Sequence, residues 1–512
     1  MSTQPKSYPI AASYAPLIAR ARVYDVAIES PLDRAPRLTA RLGHDVLLKR
    51  EDLQAVFSFK LRGSHNKLAQ TPAEKLANGV ICSSAGNHAQ GVALAARKRG
   101  LRAVIVMPKT APSIKVDAVV ALGGEAVLHG MTYDEANAHA RTLESAQGLC
   151  FVHPFNDPDV IAGQGTIGAE LERQWPRVPD AVFVPVGGGG LISGIGTYLK
   201  HRYPGIKIVG VEPYESASMY ESLRAGRIVT LDRVGTFADG VAVRRVGEET
   251  FRVASEVVDE IILVSTDEIC AAIKDIFEDV RAVVEPAGAL AVAGMKKYLA
   301  ATKTVNQDMV AIVSGANVNF DRLRHISERS ELGEKREAIL GVTIPEKPGS
   351  FRTFCRTLGK RAVTEFNYRY ADATRARVYV GVQIVPNGDR SELINSLKQA
   401  GYPVEDMTDN ELAKMHVRHM VGGRVTSGKS EILYRFEFPE RPGALLKFLL
   451  ELGERWNITM FHYRNHGAAW GRVLIGFEAQ PSARRELARF LDRIGYRYSE
   501  ETDNSAYQMF LR

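Results

Sequence analysis

Short apolar runs alternate with amphipathic stretches from residue 45 to residue 320, and this alternation constrains the fold more than any other feature of the chain. The apolar runs predict buried strands over residues 46–49, 79–83, 103–107, 126–128, 181–186, 207–211 and 309–314. Helical patterns lie between them, for example over residues 89–98 and 192–202. Alternating strands and helices build a mainly parallel sheet with helices on both faces. We therefore expect an α/β fold that binds ligands where carboxyl ends of strands meet amino ends of helices.

The pattern changes near residue 328, and beyond that point the chain repeats itself. Residues 345–351 (PEKPGSF) match residues 439–445 (PERPGAL), so Pro439 follows Pro345 by a period of about 94 residues. FNYR at residues 366–369 likewise matches FHYR at residues 461–464. Such a period is too long for a solenoid unit and suits two copies of a small domain. Each copy is predicted to run strand, helix, strand, strand, helix, strand, which is the ferredoxin-like order.

These patterns predict where the domains begin and end. A large α/β domain is expected over residues 1–325, and a highly charged linker follows it over residues 326–338. Two ferredoxin-like α+β domains are expected over residues 339–420 and 431–512. The glycine-containing segment 421–430 is predicted to be the linker between them.

Composition excludes several classes of protein. The net charge of +7 is spread over 512 residues without a run of like charges, which argues against a nucleic-acid partner. The four cysteines match neither a metal motif nor a disulfide framework, which favours a reducing compartment. No apolar run approaches the ~20 residues that span a bilayer, and the polar first ten residues lack the core of a signal peptide. We expect a cytoplasmic protein without a membrane partner.

A lysine beside an apolar residue, in SFKLRG at residues 58–63, is the first candidate for chemistry. Burial of Lys60 would disfavour its ammonium form, lower its pKa and make it a nucleophile towards an aldehyde. Taken alone, this motif is more commonly that of a surface lysine at the start of a helix.

Two further segments have the composition of anion sites. SSAGNH at residues 83–88 follows a predicted strand and opens a helix, so its free backbone N–H groups suit a carboxylate. Four consecutive glycines, Gly187 to Gly190, stand between another strand and helix. Their entropic cost is understandable if the backbone wraps a phosphate with successive N–H groups. The alternative is an ordinary strand–helix turn in each case.

SGAN at residues 314–317 ends another predicted strand, and its serine supplies an uncharged hydroxyl that can donate or accept a hydrogen bond. The alternative is that this segment is a simple helix cap. All four motifs therefore lie at carboxyl ends of predicted strands. This shared placement carries more weight than any motif alone, because ligand sites of open α/β sheets form at that edge.

Taken in this order, the motifs resemble those of the fold-type-II pyridoxal-phosphate enzymes, and most closely those of the biosynthetic threonine dehydratases. The likeness covers nearly the whole chain, including C-terminal domains that resemble ACT domains. It implies pyridoxal 5′-phosphate as cofactor and β-elimination of L-threonine, with L-serine secondary, to 2-oxobutanoate and ammonia. This reaction is the first step of isoleucine biosynthesis.

The resemblance also implies roles for matched residues. Lys60 holds the cofactor as a Schiff base and moves the α-proton of the substrate. Asn87 faces the phenolic oxygen of the cofactor, the glycine loop holds its phosphate, and Ser314 faces its pyridine nitrogen. The full set expected to contact the cofactor is Lys60, Phe59, Asn87, Gly187, Gly188, Gly189, Gly190, Leu191 and Ser314.

The substrate carboxylate is expected on the turn formed by Ser84, Ala85, Gly86, Asn87 and His88. Serine racemases resemble the same half of the chain but carry an acid/base serine at the position of Ala85, so racemisation is disfavoured here. They also place acidic metal ligands after the strand containing Glu212. Because Ser216 and Ser218 occupy the following positions, we expect no metal.

The doubled C-terminal domains imply amino-acid sensing. The resemblance implies isoleucine as the feedback effector, valine opposing it, and a homotetrameric assembly. Tyr368 and Tyr463 occupy matching positions in the repeat, and we expect them near an effector pocket, although packing on the sheet face is the alternative. The rival functions are serine dehydration, a β-replacement enzyme of the cysteine-synthase type, and a non-catalytic amino-acid sensor.

Overall fold

The computed structural model divides the protein into two compact units, Met1–Phe320 and Asp321–Arg512. Each unit is described by itself. The structure describes residues 7–175, 177–302, 304–345, 350–359, 361, 363–368, 374–386, 388–419, 431–439, 457–464 and 470–511.

Ten strands of the first unit form two open sheets, one of six strands and one of four. The strands are β1 Leu32–Arg34, β2 Asp45–Arg50, β3 Val80–Ser83, β4 Ala103–Met107, β5 Glu125–Leu128, β6 Cys150–Phe151, β7 Ala181–Pro185, β8 Lys207–Pro213, β9 Glu260–Val264 and β10 Asp308–Val313. The six-stranded sheet has the order β1-β2-β10-β7-β8-β9, and the four-stranded sheet has the order β5-β4-β3-β6. Every pairing is parallel except that of the edge strand β1.

Helices pack on these sheets in the manner that the alternating pattern predicts. They are α1 Pro9–Ala19, α2 Pro36–Leu42, α3 Lys60–Gln70, α4 Ala73–Leu76, α5 Asn87–Lys98, α6 Ser113–Ala121, α7 Tyr133–Gln147, α8 Pro158–Gln174, α9 Gly190–Arg202, α10 Ser218–Ala225, α11 Glu248–Val257, α12 Thr266–Val280 and α13 Pro286–Thr302. Among the described residues, no helix is both long and apolar enough to cross a membrane.

Helices α3 and α9, which carry predicted site residues, each touch helix α8 almost backbone to backbone. A Cβ added to Gly163 of α8 would lie 2.7 Å from the Cα of Gly63 on α3. A Cβ added to Gly194 of α9 would lie 2.4 Å from the carbonyl oxygen of Ile161 on α8. Because only glycine allows such close approach, α3 is held rigidly on α8, and α8 on α9.

The second unit contains two four-stranded antiparallel sheets, with orders β12-β13-β11-β14 and β16-β17-β15-β18. The strands and helices are α14 Arg322–Gly333, β11 Glu337–Pro345, α15 Ser350–Leu358, β12 Val363–Tyr368, β13 Arg375–Gln383, α16 Asp389–Gln399, β14 Val404–Asp406, α17 Glu411–Met415, β15 Glu431–Pro439, β16 Asn457–Arg464, β17 Trp470–Glu478, α18 Arg484–Ile494, β18 Arg497–Glu500 and α19 Ser505–Phe510. In both sheets the first strand of the repeat lies between the third and the fourth. The predicted combination of open parallel sheets and ferredoxin-like domains is confirmed.

The two copies of the repeat pack against each other through one shared apolar core, which includes Tyr379 and Met407 from the first copy and Leu433 and Leu474 from the second. The sequence TDN occurs in both copies, at residues 408–410 and 502–504, and it has a structural role. Thr408 Oγ1 accepts the N–H of Ile339, and Thr502 Oγ1 accepts the N–H of Leu433, each at 3.0 Å. Each threonine thereby holds the segment that precedes a helix, α17 or α19, against the first strand of its own copy.

The segment between the predicted α/β domain and the first predicted ferredoxin-like domain is largely helical. Residues 322–333 form α14, and β11 begins at Glu337, so the predicted linker 326–338 contains the tail of a helix and the start of a strand. The predicted linker 421–430 and the Pro-Gly turns at residues 346–349 and 440–445 lie outside the described residues.

Candidate functional site

The predicted site residues meet where the two sheets of the first unit present their strand ends. Lys60 is the first residue of α3, and the residues before it are fixed to the end of β10. Ser58 forms a β-bridge with Gly315, and the N–H of Phe59 donates to the carbonyl oxygen of Ser314 at 3.3 Å. These backbone bonds bring Lys60 beside Ser314 although the two are far apart in sequence.

Lys60 is half-buried, and protein atoms surround its amine. Its Nζ donates to the carbonyl oxygen of Pro154 at 3.2 Å and lies 5.1 Å from the centre of the Phe59 ring. Burial lowers the pKa of Lys60 to about 8, although the negative charge of Glu285 acts in the opposite direction. A larger share of this amine is therefore neutral near physiological pH than for a surface lysine, and the neutral amine is the nucleophile.

The glycine loop follows β7 and opens α9. Gly189 has a φ of 93°, and a Cβ on Gly188 would lie 2.2 Å from the ring of Phe155. Thr250 Oγ1 donates to the carbonyl oxygen of Gly188 at 2.6 Å. The loop thus needs glycine for its backbone conformation and for close packing. Because the N–H groups at the start of a helix have no intrahelical acceptor, those of the loop and of Leu191 suit a phosphate.

The predicted carboxylate turn leads from β3 into α5. A Cβ added to Gly86 would meet nothing within 4 Å, so this turn faces open space. Ser84 Oγ accepts the N–H of Gly86 at 3.2 Å, and Ala85 packs against the core beneath the small sheet.

The imidazole of His88 points into the protein. Its Nε2 lies 2.8 Å from the carbonyl oxygen of Val152. Burial, with a smaller contribution from the charge of Lys60, lowers the pKa of His88 to about 3, so the ring is neutral. The backbone of the turn, and not this ring, is the part suited to an anion.

Ser314 and Asn87 both hydrogen-bond to the segment that contains Glu285 and Ala287. Ser314 is 3% exposed, and its Oγ donates to the carbonyl oxygen of Ala287 at 3.3 Å. Asn87 Nδ2 donates to Glu285 Oε1 at 2.6 Å, and Asn87 Oδ1 accepts from Asn317 Nδ2 at 2.8 Å. A neutral hydroxyl and an oriented amide therefore lie at the same edge of the sheets as Lys60.

Sequence reasoning missed three residues of this site: Pro154, Phe155 and Glu285. Pro154 and Phe155 follow β6, which is only two residues long, and they join Lys60 to the glycine loop. Glu285 directly precedes α13. A carboxylate before a proline that opens a helix is a common arrangement, so no local signal distinguished Glu285.

These residues fit pyridoxal phosphate on the structure alone. A half-buried lysine of lowered pKa, a glycine loop at the start of a helix and a turn open to space converge at one edge. An amine nucleophile, a phosphate site and a carboxylate site are the groups that an aldehyde cofactor with a phosphate and an amino-acid substrate require.

Glu212, considered as a metal ligand, is used inside the fold. Its carboxylate accepts the N–H groups of Met219 at 3.0 Å and Tyr220 at 2.8 Å, at the start of α10. Burial raises the pKa of Glu212 to about 8. Ser216 Oγ donates to the carbonyl oxygen of Gly235. Within the described ranges, no group of three or more His, Cys, Asp and Glu residues is arranged to hold a metal ion.

The two tyrosines predicted near an effector occupy equivalent places in the second unit. Tyr368 is the last residue of β12 and pairs with Val378. Tyr463 lies in β16 and pairs with Val473. Both are therefore on the edge strand of their sheet, opposite the same strand position.

Comparison with protein families matches both units. A family described as pyridoxal-phosphate dependent enzyme matches residues 23–315. A family described as the C-terminal regulatory domain of threonine dehydratase matches twice, at residues 328–417 and 422–511. The double match coincides with the internal repeat.

Individual relatives are similar over nearly their whole length. The biosynthetic L-threonine dehydratase IlvA of Burkholderia multivorans is 53% identical, covering 97% of this chain and 99% of that protein. That of Escherichia coli is 52% identical, covering 98% of each. Among solved structures, the processed threonine deaminase isoform 2 of Solanum lycopersicum has a TM-score of 0.63 and 51% identity, covering 64% of this chain and 91% of that one. A serine racemase from maize has a TM-score of 0.57 and 31% identity, covering 65% and 99%.

Proposed function

The chain belongs to the family of pyridoxal-phosphate-dependent biosynthetic threonine dehydratases, and on that premise we propose that it converts L-threonine to 2-oxobutanoate and ammonia at the site around Lys60. The observation that carries this proposal is the convergence of Lys60 and the glycine loop at one edge, joined by Pro154 and Phe155. L-Serine is the secondary substrate.

The protein's own residues divide the work of elimination. When bound, pyridoxal phosphate supplies an electron sink for the charge that develops at the substrate α-carbon. Lys60 Nζ attaches the cofactor and moves the α-proton. The backbone N–H groups of Gly187 to Leu191 bind the phosphate, and the hydroxyl of Ser314 offers the pyridine nitrogen a partner without charge.

The turn at Ser84–His88 orients the substrate through its carboxylate. Its backbone faces open space, whereas the ring of His88 is turned inward. Ala85 has no exchangeable proton on its side chain, so the turn offers no second acid or base through this residue. Lys60 is then the group that handles the α-proton, which favours elimination over racemisation.

The lowered pKa of the Lys60 amine predicts the pH dependence of cofactor attachment. Because only the neutral amine attacks an aldehyde, the rate should rise about tenfold per pH unit below the pKa and level off above about 8. Stopped-flow absorbance of the cofactor-free protein mixed with pyridoxal phosphate measures this rate. A lysine-containing peptide, with its pKa of about 10.4, serves as control and should continue to rise beyond pH 9. A protein profile that follows the peptide would contradict a lowered pKa.

The second unit is proposed to sense isoleucine, with valine opposing it. Support comes from the double match to a regulatory domain and from the equivalent placement of Tyr368 and Tyr463 on the edge strands. An effector regulates only if it binds two states of the protein unequally. We also propose a cytoplasmic homotetramer, on the resemblance and on the absence of a disulfide framework in the sequence.

One steady-state experiment tests both the reaction and its regulation. The full-length protein should form 2-oxobutanoate from threonine with a higher kcat/KM than pyruvate from serine, and isoleucine should inhibit both. A chain ending at Phe320, where the first compact unit ends, should keep the activity and lose the inhibition.

Two controls make the outcome clear. Glycine replaces isoleucine as an amino acid without a branched side chain, and it should have no effect on either chain. Equal inhibition of the full-length and shortened chains by isoleucine would exclude the second unit as the sensor. A preference for serine would instead support the rival dehydratase.

A further inference from the structure

A chain of hydrogen bonds runs through the side chain of Asn87 and starts and ends on groups that only accept. At one end, Asn317 Nδ2 donates to the carbonyl oxygen of Val56 at 2.8 Å and to Asn87 Oδ1 at 2.8 Å. At the other end, Asn87 Nδ2 donates to Glu285 Oε1 at 2.6 Å. The donors and acceptors of the two amides therefore have one fixed order between Val56 and Glu285.

The direction is forced by the chemistry of the two ends. A backbone carbonyl has no hydrogen to donate, so the amide nitrogen of Asn317 must face Val56. Both hydrogens of that nitrogen are then used, and Asn87 must turn its oxygen towards Asn317. A carboxylate at Glu285 also only accepts, so it requires the nitrogen of Asn87. An amide flip would place oxygen against oxygen at each end.

This arrangement leaves Asn87 with one uncommitted N–H. An amide nitrogen carries two hydrogens, and Glu285 takes one of them. The other has no partner among the described residues. It is the one N–H of this side chain that can still donate a hydrogen bond to a ligand.

Glu285 is itself fixed on the segment that carries Ser314. Its backbone N–H donates to the carbonyl oxygen of Gly315 at 3.2 Å. A Cβ added to Gly315 would lie 2.6 Å from Glu285 Oε1, so the carboxylate is pressed against that backbone. Glu285 is 4% exposed. Its position is therefore set by packing and by backbone, not by solvent.

We propose that Glu285 and Asn317 are positioning residues that lock the amide of Asn87 with its nitrogen, and a single free N–H, towards the phenolic oxygen of the cofactor. This inference rests on the proposed function, because it takes pyridoxal phosphate as the ligand. Neither residue needs to touch the reacting atoms. Each acts by excluding the flipped amide, which would set an oxygen lone pair against the phenolic oxygen.

The test compares two cofactors that differ in one atom. Dissociation constants of cofactor-free protein are measured by equilibrium dialysis for pyridoxal phosphate and for its 3-deoxy analogue, which lacks the phenolic oxygen. Glu285→Met removes the acceptor and nearly keeps the side-chain length, and Asn317→Ala removes the donor. Each should weaken pyridoxal phosphate about tenfold, or ~1.4 kcal/mol, and change the affinity for the analogue less than about twofold.

Glu285→Gln is the matched control because its side-chain oxygen can still accept from Asn87 while the charge is lost. It should stay within about threefold of the wild-type affinity for pyridoxal phosphate, and Asn87→Ala should show the full loss. Equal weakening of both cofactors by Glu285→Met and Asn317→Ala would mean general damage to the site, and would overturn the proposal. Unchanged affinity for pyridoxal phosphate in both variants would overturn it as well.

Failure of this inference is distinguishable from failure of the proposed function. If the wild-type protein attaches no pyridoxal phosphate, the function itself is wrong. If the wild type attaches the cofactor and dehydrates threonine while the variants do not discriminate between the two cofactors, only the positioning role falls. Should Glu285→Met fail to fold, Asn317→Ala reports on the other end of the same hydrogen-bond chain.

Discussion

Replacing Lys60 with alanine should abolish covalent attachment of pyridoxal phosphate and lower threonine dehydration by at least about 1,000-fold. The expected size follows from losing both the covalent bond and the proton carrier in one substitution. Mass spectrometry after borohydride reduction measures attachment, and release of 2-oxobutanoate measures activity.

Lys75→Ala is the control for this substitution, because Lys75 is exposed on the short helix α4. It should leave attachment and activity unchanged. Attachment that persists in Lys60→Ala would assign the cofactor to another lysine and would reject the site as described.

Lys49 is the lysine most easily confused with Lys60, since burial lowers the pKa of both. The structure separates their roles. Lys49 Nζ donates to the carbonyl oxygen of Ser30, to Glu170 and to Gln174, all within 2.8 Å. Lys60 Nζ donates to one backbone oxygen at 3.2 Å. The ammonium group of Lys49 is fully hydrogen-bonded within the protein and stabilises the fold, whereas the amine of Lys60 has one long hydrogen bond and is available to a ligand.

The second large effect is expected at Arg62, two residues after Lys60 on helix α3. Arg62 is fully buried, and its guanidinium bonds the carboxylates of Glu51 and Glu170 at 2.6 to 3.0 Å. Arg62→Met should lower the free energy of unfolding by about 3–5 kcal/mol, because it leaves buried carboxylates without their main partner. Urea unfolding of the cofactor-free protein, followed by tryptophan fluorescence, gives this value.

Arg102→Met provides the comparison for Arg62, because Arg102 forms an ion pair with Glu125 in which both side chains are about half exposed. An exposed pair contributes under about 1 kcal/mol. Since Arg62 fixes the helix that begins with Lys60, its loss should also weaken cofactor retention. Similar stability losses for the two arginines would show that the buried network does not anchor α3.

Most of the fold was accessible from local patterns. β4 was predicted with the bounds that the structure has, and β3, β7 and β10 within one residue at each end. These strands are buried on both faces, so their apolar runs are continuous. The strands β1, β6 and β9 were missed because they are short or only half buried, and such strands carry little apolar signal.

The site was accessible only where a motif is local. Lys60, the glycine loop and Ser314 lie in short segments whose composition is unusual. Glu285 and Asn87 are 198 residues apart, and Lys60 and Pro154 are 94 residues apart. Neither pairing has a signature within one window of sequence, because the partners meet only after the sheets have formed.

The sequence by itself determined the order of strands and helices, the doubled C-terminal domain and the chemical types gathered at the strand ends. Periodicity and composition are properties of neighbouring residues, which is why these features could be predicted. Only the tertiary structure decided which way the side chains face. In the folded protein the ring of His88 points inward, the carboxylate of Glu212 accepts backbone N–H groups at the start of α10, and Glu285 contacts Asn87. Those outcomes depend on packing and hydrogen bonding between segments that are distant in sequence, where burial and the direction of each donor are set by the whole fold.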